Sequence, residues 1–244
     1  MMKKPGNQNR SILPLTLQDV SYEKNHSLLL GKVNLILESG PRTIILGPNG
    51  AGKSLLMRIC HGILEPTAGT VDWSIPNAIR YQSMVFQRPM LLQRNVAANI
   101  DYVLRLRSMQ KKERRLRTIE AMEMTGITYL KNTQAYSLSA GEQQRLALAR
   151  AWATKPEAMF LDEPTANLDP TATHEVENII LDIHKSGTKI IMSTHDMAQA
   201  QRIATEVIFL HKGNILERAP VKMFFQNPVS LEAKQFLQGK LLWG

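Results

Sequence analysis

The sequence has 244 residues, 43% of them hydrophobic, a formal net charge of +9 at neutral pH and one cysteine. That length suffices for one large α/β domain or two small lobes. The lone thiol, Cys60, excludes an intramolecular disulfide and a thiolate-held metal cluster, and it suits a reducing compartment. No apolar run reaches the roughly 18 residues of a membrane-spanning helix. Met1 to Arg10 is polar and basic, without the apolar segment of a secretory signal. The positive charge fits nucleic acid, anionic lipid or phosphate. Its one dense patch, from Lys111 to Arg117, lies in a helical pattern without interleaved aromatics. The patch therefore reads as a solvated helix face, and no nucleic-acid partner is expected.

Residues 1–13 read as a loose tail. Leu15 to Val20 alternates apolar and polar residues like a half-exposed strand, and Val33 to Leu37 is a second strand. Turn chemistry from Glu38 to Pro41 leads into a short buried strand, Arg42 to Leu46, and then a helix from Ser54 to Cys60 that ends near Gly62. A turn over 65–70 precedes strands around Val71 to Trp73 and Ile79 to Phe86. From Val96 to about Gly126 the pattern is helical, and it is helical again from Gly141 to Ala153. Strand and helix then alternate. Ala158 to Leu161 and Lys189 to Met192 are apolar runs of the parallel-sheet kind, with a helix from Thr171 to Lys185 between them. Strands at Val207 to Leu210 and Ile215 to Glu217 flank a turn. Short helices near Met223 and from Leu231 to Gly239 follow. The layout is an α/β core interrupted by a helical insertion.

The stretch Gly47, Pro48, Asn49, Gly50, Ala51, Gly52, Lys53, Ser54 fits G-x-x-x-x-G-K-[ST] between a strand and a helix. Glycines let successive backbone N–H groups close around phosphates, and the helix N-terminus adds partial positive charge. Lys53 would reach the β- and γ-phosphates of ATP, and the Ser54 hydroxyl would hold Mg²⁺. A second stretch, Met159 to Pro164, runs apolar residues into Asp162 and Glu163. Alone, a strand-end Asp caps a turn and a Glu beside it faces solvent. After a phosphate loop, the pair points to hydrolysis, with Asp162 a water-mediated Mg²⁺ ligand and Glu163 a general base. A third stretch, Leu138 to Glu142, opens an amphipathic helix at Ser139 and Gly141. It makes either a second anion site or a plain N-cap.

From about residue 15 to 240 this set resembles the ATP-binding cassette (ABC) ATPase family. Gly47 to Ser54 matches Walker A, with Leu55 continuing the nucleotide contact. Leu161, Asp162 and Glu163 match the end of Walker B and the catalytic glutamate, and Gln87 matches the Q-loop. Leu138 to Glu142 matches the signature, Ala166 to Asp169 the D-loop, and His195 the switch histidine. The resemblance implies a P-loop α/β cassette over 14–240. It would have a RecA-like core, an N-terminal antiparallel β lobe and a helical signature subdomain at about 95–153.

It further implies two cassettes packed head to tail, in the form of a homodimer. Ser139 and Gly141 would act in trans on ATP held by the partner copy. Gln87 would touch Mg²⁺ or the water and report to a membrane subunit. His195 would orient the water and Glu163, and Asp169 would support the dimer interface. Two positions depart from the family pattern. Ala140 replaces a glycine of the signature, which a left-handed backbone would penalise by about 1 kcal/mol. Tyr22 is the candidate adenine-stacking residue, with Lys24, from the family's usual spacing to Leu30, as the alternative.

A single cassette without membrane helices resembles importer subunits more than exporters or soluble ABC proteins, which remain the alternative. Among importers, the stretches 55–64, 85–92 and 236–243 resemble oxyanion cassettes of the tungstate type, with molybdate and phosphate nearby. The resemblance implies an ATPase on the cytoplasmic face of the inner membrane. It would be held there by separate permease subunits and fed by an extracytoplasmic solute-binding protein. No C-terminal regulatory domain is expected.

Overall fold

The computed structural model describes residues 11–240. Most of the expected tail and the last residues of the stretch 236–243 lie outside them.

Two sheets stack through α1 (Lys53–His61). The first is antiparallel, in the order β2-β1-β4, and comprises β1 (Leu15–Lys24), β2 (Ser27–Leu37) and β4 (Ala68–Trp73). The second has six strands. They are β3 (Thr43–Leu46), β5 (Gln82–Val85), β6 (Ala158–Asp162), β7 (Lys189–Thr194), β8 (Glu206–His211) and β9 (Asn214–Pro220), in the order β5-β6-β7-β3-β8-β9. Its pairs are parallel except β8 with β9.

The central strands are apolar on both faces because both faces are covered. Ile45, Phe160, Ile191 and Ile208 join Leu56, Met57 and the antiparallel sheet in one core. Their neighbours Ile44, Leu46, Leu161, Met192 and Phe209 point the other way, into a second core shared with the helices.

The helical insertion is α2 (Val96–Leu106), α3 (Lys111–Met124) and α4 (Ala140–Trp152). The continuous pattern expected from Val96 to Gly126 is in fact two helices. Ser108, at φ 57, turns the chain between them so that both apolar stripes reach the same core. Lys111, Lys112 and Arg115 are exposed on α3, as a solvated face requires.

The expected strand from Ile79 is also shorter. Ala78–Tyr81 is a 3₁₀ turn, and pairing begins only at Gln82. Past the insertion come α5 (Pro170–Lys185), α6 (Met197–Ile203), α7 (Val221–Gln226) and α8 (Leu231–Leu237). The pattern of apolar residues gave no sign of α6. Its start is nonetheless written in Asp196, whose side chain accepts from the Gln199 amide.

Candidate functional site

The parallel register decides which loops meet. β7 lies between β6 and β3, with Leu46 opposite Thr194 and Asp162 opposite Ser193. Gly47, Glu163 and His195 therefore leave the sheet side by side at its C-terminal edge, where ligands of open α/β sheets bind. Gln87 follows β5, the neighbour of β6.

The phosphate loop is shaped by close backbone approach. A Cβ on Gly47 would drive into the Leu210 carbonyl oxygen. Gly52 is the N-cap of α1 at φ 100, a left-handed conformation that favours glycine. It offers no capping side chain, and the first turn carries no acidic residue, so the free N–H groups of α1 suit an anion. Lys53 folds back over the loop, donating to Gly47 O at 2.9 Å and Pro48 O at 3.0 Å, with Glu163 Oε1 at 3.4 Å. Burial lowers the Lys53 pKa, while the carboxylates of Glu163 and Asp162 pull the other way.

Asp162 is buried, and its Oδ1 accepts from Ser54 Oγ at 2.8 Å and Ser193 Oγ at 2.7 Å. Glu163 sits at φ 45, an uncommon backbone region for a non-glycine residue and one that clusters at functional sites. Its amide donates to Ser193 Oγ at 3.0 Å. Its Oε2 lies 3.1 Å from His195 Nδ1. An ionised carboxylate only accepts, so this contact requires the proton on Nδ1. Nothing among the described residues forms a cluster of three or more His, Cys, Asp or Glu side chains fit for a metal. The oxygen donors Ser54, Asp162 and Gln87 suit Mg²⁺, a hard cation that keeps waters and shares phosphate oxygens.

These loops enclose a cleft of about 870 Å³. Asn49 to Leu55, Gln87, Glu163 and His195 line it. Gly47 and Pro48 close behind it through their bonds to Lys53, and Asp162 lies beneath through Ser54.

Four of the predicted residues sit elsewhere. Ser139 is the N-cap of α4 in a capping box with Glu142, and Gly141 packs on α5, so neither lines the cleft. Ala140 is the first residue of α4 and has no positive φ, so alanine there carries no backbone penalty. Asp169 caps α5, accepting from the Ala172 amide at 2.9 Å. Tyr22 pairs with Leu30 and packs on the core under the antiparallel sheet, away from the cleft wall.

Leu29 lines the cleft instead. Sequence reasoning also missed Arg58, Thr165 and Gln199 on its wall. Gln199 Nε2 donates to Thr165 Oγ1 at 2.7 Å and to Glu177 Oε1 at 3.1 Å, fixing the loop after Glu163 against α5 and α6. The position of Leu29 depends on the β1–β2 turn, which apolar alternation does not reveal.

A family model described as ABC transporter matches residues 30–166. The chain belongs to the ABC transporter family. It is 41% identical to the tungstate uptake system ATP-binding protein TupC of Peptoclostridium acidaminophilum, over 84% of this chain and 98% of that protein. It is 33% identical to the phosphate import ATP-binding protein PstB 2 of Natronomonas pharaonis, over 94% of this chain and 88% of that one. Among solved structures, it superposes on cbiO1 of Clostridium perfringens, part of the transporter complex cbiONQ. That match has a TM-score of 0.81 and 27% identity, over 95% of this chain and 96% of the other. As an ABC ATP-binding protein the chain binds ATP and is an ATPase coupled to transport. No helix among the described residues is long and apolar enough to cross a membrane.

Proposed function

We propose that this ABC ATPase powers import of a small oxyanion, tungstate first, with molybdate and phosphate as its chemical relatives. Support for the solute comes from the likeness to a tungstate uptake protein over nearly that protein's whole length. The cassette spans 14–240 and carries the helical subdomain at 95–153.

The observation that carries the ATPase mechanism is the double engagement of Glu163. Its two oxygens face Lys53 at 3.4 Å and His195 at 3.1 Å. An incoming γ-phosphate competes for the Lys53 ammonium and draws it from Glu163, Gly47 O and Pro48 O. Glu163 is then free to accept the proton of a water attacking the γ-phosphorus, as the bond to the leaving β-phosphate oxygen breaks. His195, fixed by Glu163 through Nδ1–H, presents Nε2 beside the γ-phosphate, where the neutral ring accepts from the attacking water and only the imidazolium donates to a phosphate oxygen. Ser54, Asp162 through water and Gln87 are the residues that would hold Mg²⁺, which when bound offsets charge on the β- and γ-phosphates.

No residue of α4 is among those that line the cleft. Ser139 and Gly141 sit at the N-terminus of α4, outside it, which supports their acting on ATP held by a second copy, with Asp169 near that junction. Leu29 supplies an apolar wall where the base would lie, in place of Tyr22. Beside Gln87, an apolar groove of about 350 Å³ runs along β5, α2 and α4, with Met90 84% exposed at its mouth. An exposed apolar feature of this kind marks a partner surface, and it suits permease subunits that hold the chain at the cytoplasmic face of the membrane. An extracytoplasmic binding protein would present the solute.

Co-expression with candidate permease and binding-protein subunits, followed by reconstitution in vesicles, tests the reading. ATP hydrolysis should rise when the binding protein is loaded with tungstate. Stimulation by an amino acid or a metal cation, and by no oxyanion, would overturn the solute assignment.

A further inference from the structure

The first turn of α4 is tied to the rest of the chain by polar contacts that the ATPase steps above do not use. Ser139 Oγ and the Ser139 amide both donate to Glu142 Oε2, each at 2.8 Å. The other oxygen, Oε1, accepts from the Tyr129 hydroxyl at 3.3 Å. Tyr129 Oη in turn accepts from Arg145 Nη2 at 3.3 Å, and Arg145 Nη1 lies 3.5 Å from Glu175 Oε2 on α5. Gly141 brings the same two helices together, since a Cβ there would fall 2.9 Å from Ala172 Cβ. Tyr129 itself stands on the 3₁₀ turn Thr128–Leu130 with 69% of its surface exposed. Little packing holds it there, so its hydroxyl contacts fix its place.

Glu142 creates a conflict that this chain of contacts resolves. Its carboxylate shares the helix N-terminus with Ser139, and an N-terminus favours an anion. On the proposed reading, the γ-phosphate of ATP on the partner copy must reach the same spot. A carboxylate swinging forward would repel that phosphate, and a like charge in direct contact costs affinity. We propose that Tyr129 is a positioning residue for the trans half of the ATP site. It pins Glu142 Oε1 sideways so that the carboxylate stays on the capping box while Ser139 turns its hydroxyl to the phosphate. Arg145 offsets the carboxylate charge and anchors the tyrosine to α5. The Ser139 amide and hydroxyl, then Tyr129 and Arg145, hold the Glu142 carboxyl below the usual carboxylate range, so it enters closure as an anion.

This inference rests on Ser139 acting in trans, and the experiment separates the two. In the full-length Glu163→Gln chain, ATP-driven dimerisation is followed by sedimentation velocity, and ATP binding to the dilute single chain by nucleotide fluorescence. Tyr129→Phe should raise the ATP concentration for half-maximal dimerisation by about 3- to 10-fold, the scale of one ordinary hydrogen bond, as suits a long and exposed contact. Single-chain ATP affinity should not change. Placed on Glu142→Gln, which removes the charge, Tyr129→Phe should have no further effect. Independent, additive effects of the two substitutions, or an unchanged midpoint in Tyr129→Phe, would overturn the role of Tyr129. Ser139→Ala is the control. If it weakens dimerisation while Tyr129→Phe does not, only the positioning role falls. If Ser139→Ala leaves dimerisation intact, the trans reading falls and takes the positioning role with it.

Discussion

The phosphate-side residues occupy the positions that a strand–loop–helix reading assigns them, because each follows a strand whose register is fixed by burial on both faces. Asp162 and His195 could be placed from sequence since β6 is an apolar run that ends at Asp162, and β7, apolar over Ile190 to Met192, ends one residue before His195. Leu29, the residue proposed for the base side, could not. Tyr22 and Leu29 lie on opposite arms of a hairpin whose turn uses two left-handed residues, Asn25 and His26, and the β1–β2 register shifts on either side of Tyr22. A one-residue slip exchanges the two faces of a strand, so alternation alone does not tell which of Tyr22 and Leu29 faces the cleft. Leu29→Ala should therefore raise the KM for ATP by a few-fold, about 1 kcal/mol of lost apolar contact, with kcat little changed. Tyr22→Phe should leave KM alone. Steady-state kinetics on both variants checks the assignment.

His61 carries a second residue-scale consequence. It packs edge-on against Phe160 at a centroid distance of 5.7 Å, its Nδ1 is buried without a partner, and burial pushes its pKa down from 6.5 to about 4. Between those values the unfolded chain binds a proton that the folded chain refuses. The contribution to stability is thus whole above pH 6.5 and lost as pH falls towards 4. Urea melts should show a steeper acid loss for the native chain than for His61→Phe, which keeps the ring and removes the proton.

At the scale of elements, loops held against neighbouring backbone are where single atoms matter. Gly47 leaves β3 against the Leu210 carbonyl of β8, so Gly47→Ala must push the phosphate loop off the sheet edge. Overpacking of this kind costs about 1–3 kcal/mol. The loop that moves is the one Lys53 clasps. We expect Gly47→Ala to remain folded but lose ATP binding by at least tenfold in a nucleotide titration, with a lowered urea midpoint. Helix boundaries show the converse limit of sequence reasoning. The helical pattern runs on from the mostly apolar α2 into the highly charged α3, because the break at Ser108 has neither glycine nor proline to mark it. The docking of both stripes on one core, a tertiary fact, decides the break. α4 and α5 could be bounded because each opens on a capping residue, Ser139 or Asp169.

For the whole molecule, the arrangement of sites matters more than any one of them. One chain places Lys53, Glu163 and His195 around a cleft and leaves Ser139 and Gly141 on another part of its surface. On the proposed reading, a γ-phosphate that releases Glu163 from Lys53 on one side and meets the α4 N-terminus of a second copy on the other makes closure and hydrolysis depend on the same group. ADP lacks that group and should release the pair. The family was legible from motif order. That the site is composite is proposed from the family resemblance alone, since nothing in the spacing of Ser139 from Gly47 says whether they meet within one chain or between two.

The most direct measurement is the mass in solution of Glu163→Gln with ATP, with ADP and without nucleotide. The account predicts a dimer with ATP alone, monomers in the other two conditions, and loss of the ATP dimer when Ser139→Ala is added. A Glu163→Gln chain that hydrolyses ATP at the native rate, or stays monomeric at saturating ATP, would contradict it.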